Sequence, residues 1–207
     1  MPGSIPPGEK YHRNVPQEPQ QTEARKLVVH ENVPLDAFYK TWHMPARMDK
    51  GYHAADLIIE ILGGGASSRL FQLLVKEKRM FSNIECYHFG SLDKGLLTIE
   101  GKLVKGVKME DAETAVEEEL DKLKSQLVNE EELQKVKNKT ESMIAFEDIA
   151  VMSRANSLAF YELLGDANLI NTELSHYNAV TAEDIQFFSR QILEAKNSNV
   201  LYYYSKN

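Results

Sequence analysis

The sequence predicts an α+β domain: a largely antiparallel sheet covered by helices. Short segments rich in β-branched and aromatic residues come in pairs, at 26–31 with 37–43 and at 84–89 with 96–103. A last one stands at 199–204. Longer stretches with helical apolar spacing fall between the pairs and before the last strand. Runs of strands followed by runs of helices, rather than strict alternation, mark the α+β class.

The elements follow in order. Met1 to Gln21 carries Pro2, Pro6, Pro7, Pro16 and Pro19 with Gly3 and Gly8. That composition excludes a helix or a central strand and reads as a linker, leaving 22–207 as the domain. A linker with no domain ahead of it points to a missing N-terminal portion. Lys26 to Glu31, with Leu27, Val28 and Val29 at its centre, is a strand, and Ala37 to His43 is a second, ended by Pro45. Met48 to Leu62 and Ser67 to Arg79 are helices. Ile84 to Phe89 and Leu96 to Leu103 form a hairpin-like pair. Glu110 to Leu127 is an acidic amphipathic helix. Asn129, with Glu132 three residues on, opens a long helix running to about Leu164 with a bend between Ile144 and Val151. Thr181 and Asp184 cap a helix that runs to Leu193.

Composition excludes several functions. With 207 residues and 43% hydrophobic content the chain can bury a core. A net charge of −7 without a basic run argues against nucleic-acid binding. No stretch of about eighteen apolar residues is present, so no membrane span is expected, and the polar, proline-rich start lacks a secretory pattern. The expectation is a soluble chain, cytoplasmic or, in a bacterium, periplasmic. The single cysteine, Cys86, excludes a disulfide framework and a cysteine zinc site. Lying in a strand, it reads as a buried, inert thiol.

The stretch from Asp56 to Arg79 is the most informative. Leu57, Ile58, Ile61 and Leu62 form one helix face, and Leu70, Phe71, Leu73, Leu74 and Val75 another. Between them stand Gly63, Gly64 and Gly65, which break the helix and free the backbone for positive φ and close approach. A nucleotide loop is a poor reading, because the glycines follow a helix and no Gly-Lys-Ser/Thr succeeds them. Gly-x-Ser-x-Gly is absent, and Ser67 reads as the cap of the next helix. Arg69, a cation in that helix's first turn, calls for a carboxylate partner, either internal or a substrate terminus. The histidines show no pair four residues apart. His53 with Asp56 is the nearest approach to a helical ligand pair and reads as a solvent-facing couple. His43 and His88 read as satisfied sheet histidines.

The series from the glycine run through Ser67, Ser68, Arg69 and Leu70 to Glu77, Lys78 and Arg79 resembles the zinc peptidases of the pitrilysin/insulinase family, which includes mitochondrial processing peptidase. The resemblance extends to Val33–Pro45, Gly95–Gly101, Glu130–Lys137, Ser153–Ala159 and Val180–Ile185, in the family's order. It implies a later, zinc-free domain of such a peptidase, since the family's His-x-x-Glu-His motif is missing here. Zinc is then expected in an N-terminal domain or a partner subunit, with no cofactor in this chain. The implied role is non-catalytic: to close a chamber around an unfolded peptide. The implied substrate-binding residues are Gly63, Gly64, Gly65, Arg69, Lys76 and Asn83. Active relatives carry arginine and tyrosine at the positions matching Lys76 and Asn83, so this chain departs from their pattern; Tyr87 or Arg79 would take those roles if the register slips. The departure leaves open an inactive subunit or assembly scaffold of the same fold. A domain cut from a clamshell is also expected to self-associate as a homodimer, with Phe71, Met80 or Phe81 as possible contacts.

Overall fold

The sheet is built on period-two patterning. In the computed structural model, which describes residues 8, 16, 18–90, 92–147 and 149–206, the five strands are β1 (Arg25–Glu31), β2 (Ala37–Met44), β3 (Phe81–Phe89), β4 (Gly95–Leu103) and β5 (Ser198–Ser205). They lie in the order β1-β5-β2-β4-β3. Only β1 and β5 pair in parallel; the other three pairings are antiparallel. This is the predicted class. Phe38, Trp42 and Met44 of β2, and Leu97, Ile99 and Leu103 of β4, are buried under the helices. Their neighbours Tyr39, Thr41, Leu96 and Glu100 occupy the opposite face and stay half-exposed.

Helix α1 (Tyr52–Gly63) is the hub and packs against β3. It also packs against α3 (Glu130–Glu147), α5 (Glu173–Ala179) and α6 (Ala182–Ile192), and α2 (Met109–Ser125) packs against α6. Most of α1 is buried, including Leu57, Ile58, Ile61 and Leu62. One buried lysine ties the sheet to the helices. Lys40 Nζ pairs with Glu113 at 3.0 Å and with Glu117, and Tyr202 Oη donates to the same Glu113. Burial pushes the Glu113 carboxyl up, but the Tyr202 and Lys40 hydrogen bonds outweigh it, and the net shift is downward.

The structure amends several boundaries. The predicted helix over 67–79 begins at Arg69 but widens into a π-helical stretch, Phe71–Glu77. There the Lys78 N–H reaches back five residues to Leu73 O at 2.8 Å. Arg79, at φ 53°, ends the stretch in the left-handed region. Ser68 rather than Ser67 is the buried hydroxyl of this turn, donating to Gly65 O at 2.6 Å. The long helix is two helices: α3 ends at Glu147 and α4 runs Val151–Leu163, with Ala150 extended between them. Asn129 does cap α3, its Oδ1 accepting the Glu132 N–H at 2.7 Å. At α6 the Thr181–Asp184 capping box is complete. Most of the proline-rich segment lies outside the described residues. Its last residue, Gln21, is buried and donates to Ser198 O at 3.0 Å. Among the described residues no helix is long and apolar enough to cross a membrane.

Candidate functional site

The glycine turn closes the C-terminus of α1. A Cβ on Gly63 would stand 2.1 Å from Cys86 N, so this glycine sets how closely α1 approaches β3. Gly65 adopts φ +106° in open space and turns the chain. Helix α3 seals the turn. Lys139 Nζ binds Gly64 O together with the Glu60 carboxylate, and Lys135 Nζ donates to Ser67 O at 3.0 Å. Beneath the turn, Cys86 is fully packed, and burial followed by the Glu60 charge drives its thiol far up, as an inert thiol requires.

Arg69 finds its carboxylates inside the protein. Its Nε and Nη2 meet the two oxygens of Glu132 at 2.9 and 2.6 Å, a bidentate fork. Its Nη1 lies 3.5 Å from Glu119, which also accepts from Lys122. The Glu132 hydrogen bond is the largest cause holding the guanidinium above its usual pKa. Lys76 and Asn83 stand apart from the turn, at the far end of the π-helical stretch and in β3. Both are exposed. Lys76 Nζ sits 5.6 Å over the Phe71 ring, and Asn83 Nδ2 donates to Glu85 at 2.7 Å beside an irregularity in the β3–β4 register. Tyr87, the other candidate for the family's tyrosine, donates to Glu100 at 2.9 Å from the open sheet face. Burial, then that hydrogen bond, pushes its hydroxyl up to about 12. Phe81 is not available as a dimer contact: it is buried against Phe38 because β3 points it into the core.

A second polar cluster escaped the sequence reading. His53, Asp56 and Glu60 form the one polar stripe on α1, at i, i+3 and i+7, and each meets a partner. His53 Nε2 lies 3.3 Å from Glu173, and Asp56 accepts from Tyr177 Oη at 2.7 Å and lies 3.3 Å from His88 Nε2. Glu60 takes Lys139. The expected solvent-facing His53–Asp56 couple is thus a half-buried network, because α1 is surrounded. Arg47 completes it. Its Nη2 meets Glu173 at 2.6 Å and donates to Tyr161 Oη at 3.3 Å, while its guanidinium stacks 4.6 Å over Tyr52. Burial alone would raise Glu173, but the His53 and Arg47 hydrogen bonds hold it down at about 2. A cleft of about 530 Å³ opens beside the network, lined in part by Met48, His176, Val180 and Phe188. The signal in the sequence was the i, i+3, i+7 polar spacing on an otherwise apolar helix.

None of these histidines converges on a shared point. His43 reaches Asn197 at 3.1 Å and Glu18 at 3.4 Å, His88 reaches Asp56, and His53 reaches Glu173. Among the described residues no group of three or more histidine, cysteine or acidic side chains is placed to hold a metal ion. These residues do not fit a zinc centre.

The family is decided by the match of residues 3–140 to the model of the peptidase M16 inactive domain. This chain belongs to that family. It is 29% identical over 140 residues to the "Uncharacterized zinc protease YmxG" of Bacillus subtilis (strain 168), covering 66% of this chain and 34% of that one. Among solved structures, a protease from Helicobacter pylori superposes with a TM-score of 0.88 at 23% identity, covering 95% of this M16 chain and 48% of the protease. A chain of the Candida albicans complex III2 superposes with a TM-score of 0.70 at 14% identity, covering 87% of this chain and 45% of that one. At such identities the two structures establish a shared fold. The M16 chain spans about a third of the curated relative and about half of the solved protease.

Proposed function

We propose that this M16 inactive domain is the zinc-free half of a pitrilysin/insulinase-type metalloendopeptidase, closing a peptide-binding chamber opposite a zinc-bearing domain or subunit. The observation that carries the reading is its match to an inactive peptidase domain in a chain about half as long as the protease it superposes on. The folded unit is residues 22–207, attached through Gln21 to the linker 1–21. The unfolded peptide is held by backbone pairing with few side-chain pockets, which tolerates many sequences. Gly65, Lys76 and Asn83 are the residues open to it, whereas Gly63, Gly64 and Arg69 hold the turn in shape. Lys76 offers an exposed ammonium to a peptide carbonyl; Asn83 offers an amide. Without its other half the chain associates with itself.

A second reading, an inactive assembly subunit, has two supports: the family resemblance matches Lys76 and Asn83 to the arginine and tyrosine of active relatives, and the fold is shared with a chain of a complex III2. One experiment separates the two. The zinc-bearing half is combined with this chain, wild type or Lys76→Arg/Asn83→Tyr, and hydrolysis of a fluorogenic peptide is followed. The peptidase reading expects activity only in the combination, and a kcat raised by the double variant toward the ~10²–10³ that one oxyanion donor is worth. Cleavage by the zinc half that this chain does not alter would overturn it.

A further inference from the structure

Sixteen large apolar residues stand exposed among the described residues, and seven of them fall between Met143 and Leu163. Their exposures run from 46% to 82%. Four of them, Val151, Met152, Leu158 and Leu163, lie on helix α4. This helix buries none of its residues and packs chiefly against the 3₁₀ turn Ala167–Asn171. Phe160 and Tyr161 are its half-buried side, and Tyr161 Oη accepts from Arg47. On the other side Val151, Ala155 and Leu158 follow at helical spacing with Ala159 beside them, all exposed. The two alanines make this stripe flat enough for another helix to approach closely.

The charges on α4 select the partner. Arg154 and Glu162 are both exposed and eight residues apart, or ~12 Å along the axis. Glu162 is held in place by accepting the Ala167 N–H at 3.3 Å. An antiparallel second copy crossing at Leu158 brings each Arg154 level with the other copy's Glu162, at both ends at once. A parallel copy would set like charge against like. Such self-complementarity is what a two-fold contact requires.

We propose that α4 is a homodimerisation surface, on which two copies of this chain cross antiparallel at Leu158 with Arg154 of each facing Glu162 of the other. The proposal rests on the self-association reading above and gives it a place on the molecule.

The test uses the full chain. Light scattering over a concentration series should show a dimer for wild type. Arg154→Glu should weaken it at least tenfold without changing the circular dichroism spectrum, and Arg154→Glu/Glu162→Arg should restore it. Mild oxidation should link Leu158→Cys into a covalent dimer and leave Val151→Cys unlinked, since the two copies of residue 151 would lie ~20 Å apart. Wild type, whose one cysteine is buried, should not link. A dimer indifferent to Arg154→Glu and unlinked through Leu158→Cys would overturn the α4 surface and leave self-association standing. A monomer at every concentration would overturn both, even if α4 proved to be covered by the zinc-bearing half instead.

Discussion

Two arginine knots do similar chemistry in different settings. Arg69 forks onto Glu132 where the turn after α1 meets α2 and α3. Arg47 binds Glu173 and Tyr161 where the loop before α1 meets α5 and α4. Around Arg69 the same elements also share a core: Leu120, Leu123, Leu133 and Val136 are buried together. Around Arg47 the apolar support is thinner, since α4 buries nothing and α5 buries only Glu173 and Tyr177. In the first place the ion pair fixes the geometry of parts already held by apolar burial. In the second it is a tether.

The comparison breaks most readily in the body. Gly63→Val puts a branched side chain where a Cβ already meets Cys86 N at 2.1 Å. Because backbone, not a flexible side-chain tip, stands in the way, overpacking of about 3 kcal/mol or more is expected. A urea titration followed by circular dichroism measures it. A variant as stable as wild type would mean that α1 and β3 can part at no cost, and the close approach would lose its structural role.

The tether yields to acid. Glu173 falls from its usual 4.5 to about 2 on folding. A depressed carboxylate contributes stability that is complete above the unfolded pKa and is lost as pH falls through the folded one. Stability should therefore decline between about pH 5 and pH 2, with Glu173 accounting for on the order of 3 kcal/mol. Stability curves for wild type and Glu173→Gln isolate this share. The variant should be less stable at pH 7 and flatter through the acid range. Parallel curves would show that the Arg47–His53–Glu173 network leaves the carboxyl unperturbed.

Much of this was legible because local chemistry and tertiary packing agree in the body. The strands, the Thr181–Asp184 box and the Asn129 cap could be read from a few residues each, and the carboxylate partner required by Arg69 follows from the helix dipole alone. The partner's identity does not, because Glu132 is sixty-three positions away. The His53–Asp56 couple was misread for a related reason. Its spacing describes a solvent-facing stripe until α5 is known to lie across it, and the seven-residue α5 carries too short a periodic signal to announce itself. The break between α3 and α4 reads as a bend because both flanking segments keep helical spacing. Lys40 shares the inward alternation of Phe38 and Trp42, and only the fold brings Glu113 and Glu117 to it.

The smallest effect is the most discriminating between the knots. Lysine keeps the charge of arginine but loses the planar fork, worth about 1 kcal/mol where a bidentate or stacked contact is lost. In Arg69→Lys that loss falls on elements that unfold with the core. Native-state hydrogen exchange should then show amides of α1, α2 and α3 weakened together, matching the shift in the urea midpoint. In Arg47→Lys the tether loosens while the core stays intact. The global midpoint should move by less than ~0.5 kcal/mol, and exchange should quicken several-fold only in α4, the 3₁₀ turn and α5, the signature of local opening. If both variants weaken all helices equally, the arm and the body are one cooperative unit. The contrast between a lock and a tether would then be a difference of geometry without a difference in energy.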